Sequence, residues 1–261
     1  SAGVPKAFAA TTVVVPFNDL TAVEAAFKKH KGKIAALFVE PIPANMGVVF
    51  PAKGFLEGLR RITKREKTLL VFDEVITGFR VCYGGAQTLY GIKPDLTVLG
   101  KIVGGGLPLA AYGGRRDVMS MIAPEGPAYQ AGTLSGNPVA VAAGTAMLDL
   151  LRHERPYKRM EQLAEYFCEG LRRAALLAGV PLRIQSVGSM LTPFFIEGEV
   201  TDYASAMKAD KAAYGRFFHS MLKRGVYLPP AQWEAAFVSY AHDERDLNIA
   251  IGAAAESFRE I

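Results

Sequence analysis

The chain has only two cysteines, Cys82 and Cys168, far apart and in no CxxC spacing. That excludes a disulfide framework and a cysteine-rich zinc module. Its four histidines, His30, His153, His219 and His242, share no metal-ligand spacing with one another or with the cysteines, so no structural metal is expected. No apolar run approaches the ~20 residues that cross a bilayer, and no signal-peptide pattern is present. A reducing, cytoplasmic setting without membrane contact is the expectation. The net charge of +5 comes from 30 basic and 25 acidic residues scattered along the sequence. The densest basic stretch, Arg60-Arg61-Ile62-Thr63-Lys64-Arg65, falls on one face of an expected helix. No basic patch is interleaved with aromatics, so nucleic acid is not an expected partner. Internal repeats and low-complexity tracts are absent too. Nor is there an initiating methionine: Ser1-Ala2-Gly3-Val4-Pro5 reads as an interior point of a longer protein.

What is present is ample length for a core, 261 residues of which half are hydrophobic, and an alternation of strand and helix signals. Thr11–Val15 is β-branched and expected to be extended. Leu20–Lys31 has helical periodicity, with Asn18 or Asp19 as N-cap and Gly32 closing it. Ile34–Val39 is a short apolar strand ending at Glu40-Pro41, and 55–67 is an amphipathic helix. Leu69–Phe72 and Leu96–Leu99 are near-continuous apolar strands, the pattern of a sheet covered on both faces. Tyr112–Gly113 extends the sheet before 115–122 turns helical. Asn137-Pro138 opens a long helix to about Leu151, with Asn as N-cap and Pro at the first helical position. Beyond it, 155–177, 208–224 and 243–258 are expected helices, and 190–196 and 237–240 strands. The texture changes near 150–156, so two domains are expected, 1–152 and a smaller α+β unit over 153–261.

Three motifs carry chemistry. Asp73 and Lys101 each follow a buried apolar strand, where both groups can reach one edge of a sheet at which ligands sit. A lysine amine attacks carbonyls once its site lowers its pKa. Gly104-Gly105-Gly106 just beyond lets backbone approach a bulky ligand. A carboxylate against a pyridine nitrogen makes an electron sink of the ring, and Val75, two residues on in an extended segment, would share its side and pack on the ring. The third motif, Gly132-Thr133-Leu134-Ser135-Gly136-Asn137-Pro138, offers a hydroxyl and backbone amides ahead of a helix, which suits a phosphate. Taken singly, each has a plain structural alternative: a solvated lysine, a surface acid pair at Asp73-Glu74, a helix cap.

Together, 72–80 (FDEVITGFR), 94–108 (PDLTVLGKIVGGGLP) and 129–138 (YQAGTLSGNP) closely resemble class III pyridoxal-phosphate aminotransferases. The 129–133 stretch points to the aminomutase branch of that class. The resemblance extends over nearly the whole chain. It implies a fold type I α/β transferase: a large domain with a mostly parallel sheet, here incomplete, plus a C-terminal α+β small domain. It implies pyridoxal 5'-phosphate as cofactor, with the pyridoxamine phosphate form in the cycle. The activity implied is an intramolecular amino exchange on a small amino-aldehyde feeding tetrapyrrole synthesis. Carried over position by position, Lys101 is the Schiff-base and catalytic lysine, Asp73 the partner of the pyridine nitrogen, and Val75 the residue behind the ring. Asn45 lies near the phenolic oxygen and Glu234 near the substrate entrance. Gly132 and Thr133 reach the phosphate of the neighbouring subunit's cofactor, so a homodimer with shared sites is implied. In a photosynthetic eukaryote the setting would be the plastid stroma.

The family's main phosphate loop, its ring-stacking aromatic and its substrate-carboxylate arginine lie in an upstream portion not found here. Pro43-Ala44 also stands where many aminomutases have a valine-glycine type pair. An ω-aminotransferase or amino-acid racemase of the same class stays open as an alternative, as does a catalytically incompetent remnant.

Overall fold

The structure is a computed structural model and describes residues 2–261. In chain order its first half comprises helices α1 (Lys6–Ala9) and α2 (Leu20–Lys29), strand β1 (Ala36–Val39), α3 (Phe55–Arg65), β2 (Leu69–Glu74), α4 (Gly85–Leu89) and β3 (Leu96–Leu99). A 3-10 turn over Lys101–Gly104, β4 (Ala111–Gly114), α5 (Arg116–Met119) and α6 (Pro138–Glu154) follow. The second half comprises α7 (Tyr157–Leu177), β5 (Arg183–Val187), β6 (Met190–Phe194), α8 (Tyr203–Ala206), α9 (Lys211–Lys223), β7 (Ala236–Phe237) and α10 (Glu244–Phe258).

Two sheets result. The first has the order β1-β2-β3-β4, with the first three strands parallel and β4 antiparallel. Parallel strands need crossover connections, and α3 and α4 lie in them. The apolar stripes of α2 (Val23, Phe27) and α3 (Phe55, Leu56, Leu59, Ile62) cover Leu70 and Phe72 of the sheet. The second sheet is antiparallel, β5-β6-β7. Helices α7, α9 and α10 pack with it around a core of aromatic side chains, in which Phe217 stacks on Phe258 at 4.5 Å between ring centroids.

Side-chain capping explains the starts of several helices. Asp19 accepts the Ala22 N–H, Asn137 accepts those of Val139 and Ala140, and Asp243 forms a capping box with Asp246.

Several sequence expectations are corrected. Segment 11–15 forms no strand; Val13 and Val14 are exposed and have no ladder partner among the described residues. The helix expected over 115–122 is a single turn, and the last strand is only two residues long. Strand β5 was not anticipated, because its sequence RIQSV carries only Ile184 and Val187 as apolar signals. The sheet is not covered on both faces throughout: β2 is buried, whereas Phe38 of β1 is 68% exposed and β3 is half-buried.

The two sheets meet through the loop after β1. Ile42, Ala44 and Val48 pack with Ile76, Val81, Met190 and Ala235. Gly47 has φ +82 and lies so close to the Phe194 ring that no side chain fits there. Its N–H donates to the Trp233 carbonyl at 2.5 Å, and the Ala235 N–H donates to the Ala44 carbonyl at 3.1 Å. These bonds tie residues 43–47 to 231–235.

Candidate active site at the carboxyl edge of the parallel sheet

The three parallel strands end side by side. Register pairs Val39 with Phe72, Asp73 with Val98, and Glu74 with Leu99. Glu40, Asp73 and Lys101 therefore emerge from the carboxyl ends of three neighbouring strands, where an open α/β sheet binds ligands.

Asp73 is half-buried. Its Oδ1 accepts the Val75 N–H at 3.0 Å, and Oδ2 has no protein donor among the described residues. That bond turns the chain, so Val75 does not continue the strand as the sequence suggested. Its side chain instead lies against Gly100: a Cβ built on Gly100 would sit 3.2 Å from Val75 Cγ1. Val75 thus packs directly against the side-chain-free backbone that leads into Lys101.

Lys101 is exposed and has φ +48, opening the 3-10 turn. Behind it helix α6 packs closely. A Cβ on Gly105 would approach the Ala143 carbonyl oxygen to 2.5 Å, and Gly144 lies directly against the Val103 carbonyl. Small residues at these positions let the helix hold the turn that presents the lysine.

Glu74, next to Asp73, has the opposite character. It is fully buried, and its carboxylate accepts the Thr77 hydroxyl (2.9 Å), the Ala86 N–H (2.6 Å), the Gln87 N–H (3.0 Å) and Gln87 Nε2 (3.1 Å). Gly85, with φ +70, leaves room for this carboxylate. Glu74 is therefore no surface acid; it anchors the start of α4 to the strand end.

Glu40 was not singled out by the sequence beyond ending its strand. Its Oε2 accepts the Ala44 N–H at 3.3 Å, and Asn45 Nδ2 donates to both carboxylate oxygens at 3.4 and 3.5 Å. Burial pushes its carboxyl above the ordinary value; the Ala44 and Asn45 donors oppose this, Asp73 adds to it, and Lys101 opposes it. Asn45 is exposed beside this cluster.

Glu234 is exposed as well, between Trp233 and Ala235, whose backbone groups bond to Gly47 and Ala44. The fold therefore brings its segment beside the 44–47 turn despite the distance in sequence. Arg80, which closes the motif begun at Phe72, turns toward the second sheet. Its guanidinium lies 4.1 Å from the Phe237 ring centroid, and burial lowers its pKa to about 10.

Gly132 and Thr133 are exposed in a turn closed by the Ser135 N–H to the Gly132 carbonyl. No hydrogen bond joins 129–136 to Glu40, Asp73 or Lys101 among the described residues. The structure thus brings Asn45, Glu40, Asp73, Val75 and Lys101 to one edge, sets the Glu234 segment against the 44–47 turn by backbone bonds, and gives Gly132 and Thr133 no bond to any of them among the described residues.

A carboxylate with a free oxygen, an exposed amine and an amide donor along one sheet edge fit a nitrogen-containing aldehyde cofactor. Among the described residues no group of histidine, cysteine or carboxylate side chains could hold a metal ion, and no helix is long and apolar enough to cross a membrane.

Comparison with known proteins bears on this site. The family model for aminotransferase class-III matches residues 1–238. The chain is 55% identical over 261 residues to a glutamate-1-semialdehyde 2,1-aminomutase of Roseiflexus castenholzii, and 55% identical over 259 residues to that of Pelotomaculum thermopropionicum. It spans about 60% of the length of each of these relatives and is itself covered to 100% and 99%. Among solved structures, an omega-transaminase from Sphaerobacter thermophilus superposes with a TM-score of 0.92 at 31% identity, covering 99% of this chain and 59% of its own. A glutamate-1-semialdehyde-aminomutase from Pseudomonas aeruginosa in complex with PMP gives a TM-score of 0.87 at 30% identity, covering 98% and 59%.

Proposed function

This chain belongs to the aminotransferase class-III family, and from that premise we propose that it serves a pyridoxal-phosphate-dependent glutamate-1-semialdehyde 2,1-aminomutase. The reaction moves an amino group within one substrate molecule and yields 5-aminolevulinate. The observation that carries this reading is the placement of Asp73 and Lys101 at the carboxyl ends of adjacent parallel strands. The 55% identity to named aminomutases favours this branch over the transaminase.

When bound, the cofactor supplies an electron sink for negative charge developing beside the substrate nitrogen. This chain's residues hold and serve it. Asp73 Oδ2 would keep a proton on the ring nitrogen. Lys101 Nζ would help hold it and would move protons at the substrate carbon as general acid and base. Asn45 would donate its amide to the phenolic oxygen, Val75 would pack against the ring, and Glu234 would serve the substrate entrance. Gly132 and Thr133, on their exposed turn, serve the phosphate in the other subunit of a homodimer. The division into units 1–152 and 153–261 and a cytoplasmic setting go with this reading.

The test is to add pyridoxal phosphate to the chain and record the visible absorption, with Lys101→Ala as control. A band that depends on Lys101 is the expected result. Its absence would favour a remnant that folds without cofactor chemistry. Supplying glutamate-1-semialdehyde to a cofactor-loaded protein should yield aminolevulinate without an external amino donor. A strict need for a second amine would instead indicate an ω-transaminase, which the TM-score of 0.92 to the Sphaerobacter enzyme makes the second reading.

A further inference from the structure

The turn between Glu40 and Asn45 is held on three sides. Pro41, Ile42, Pro43 and Ala44 are buried. The Val49 N–H donates to the Pro43 carbonyl at 3.1 Å, and the Ala235 N–H donates to the Ala44 carbonyl at 3.1 Å. On the sheet side the Glu40 carboxylate is the only polar side chain bonded to the turn among the described residues, through the Ala44 N–H and the Asn45 amide. Glu40 follows the Val39–Phe72 pair by one residue and so stands level with Asp73.

We infer that Glu40 is a positioning residue of the cofactor site, fixing which way the Asn45 amide faces. The inference rests on the cofactor reading of the site. An asparagine side chain presents an acceptor on one side and a donor on the other, and an exposed one can present either to a ligand. A carboxylate accepts only. With Nδ2 drawn to Glu40, one N–H is used there and the second remains to be donated outward, toward a phenolic oxygen. Turned over, the amide would bring Oδ1 against the Glu40 carboxylate and offer the ligand an acceptor where it needs a donor. Glu40 removes that alternative without touching the ligand.

Glu40 also belongs to the charge arrangement of the edge, with Asp73 and Lys101 as the charged groups that bear on it. Removing its charge therefore acts on the site through space as well as through Asn45. The two routes separate in a double-mutant cycle, because only the second requires Asn45.

The measurement is the pH midpoint of the visible band of the cofactor bound through Lys101, in the parent, Glu40→Gln, Asn45→Ala and the double variant. Asn45→Ala should move the midpoint by about half a pH unit or more in the parent, and by clearly less when Glu40 is already glutamine. Equal displacement in both backgrounds would overturn the inference. A second measurement needs no cofactor. In the apo-protein, carbon NMR of the Glu40 carboxyl, assigned by its loss in Glu40→Gln, should show its midpoint rising in Asn45→Ala. An unmoved Glu40 midpoint would overturn the inference. If the parent gives no Lys101-dependent band, the cofactor reading fails by itself, and the apo titration still decides whether Glu40 holds Asn45.

Discussion

The two ends of the four-stranded sheet treat their charged groups in opposite ways. At the amino end Asp95 is saturated: it accepts the Leu70 N–H at 2.8 Å and pairs with Arg60 at 2.9 Å and Arg115 at 3.0 Å. Burial alone would raise its pKa, but those three partners outweigh it and hold the carboxyl below the ordinary value. At the carboxyl end Asp73 has one bond, Glu40 has long ones, and Lys101 is exposed. Both ends present carboxylates next to β2, yet one is spent on folding and the other kept in reserve. Polar groups with capacity left over mark where a ligand can be bound. Glu74 is the exception that sharpens the contrast. It sits at the carboxyl end but faces inward, and with four bonds it behaves like Asp95.

The contrast breaks if these carboxylates prove interchangeable. Glu74→Ala should have the largest effect, about 3–5 kcal/mol in a urea unfolding experiment, because it strands buried donors at Thr77, Ala86 and Gln87. Asp95→Asn should cost about 1–3 kcal/mol, since Arg60 loses its carboxylate in a mostly buried setting. A depressed folded-state pKa contributes stability that is present above the unfolded value, about 3.9, and is lost as pH falls through the folded value. The parent should therefore lose stability steeply below about pH 4, and Asp95→Asn less steeply. Asp73→Asn should change stability least, by less than about 0.5 kcal/mol, while altering the visible spectrum of the cofactor complex. A large loss of stability with an unchanged spectrum would place Asp73 with the folding residues.

Much of this frame was legible in the sequence because its signals are local. Strands β2 and β3 are short apolar runs, and the caps at Asn137 and Asp243 sit next to the helices they start. The pairing of Asp73 with Lys101 followed from two strand ends and a lysine before glycines. What escaped depends on distant neighbours. Glu74 looked like a surface acid because its partners at 77, 86 and 87 come from a turn that only the fold brings round. Glu40 gains its place from strand register, and Glu234 reaches the Asn45 turn through backbone bonds between residues almost two hundred positions apart. Strand β5 escaped because an edge strand with two apolar residues carries almost no pattern.

The φ of +48 at Lys101 has a consequence for how this chain can vary. A residue with a Cβ in the left-handed region gives up roughly 1 kcal/mol relative to glycine. Selection for folding alone would therefore favour glycine at 101, next to Gly100. A lysine there works against its own backbone, and any lineage that lost the chemistry would find an immediate gain in stability at that position.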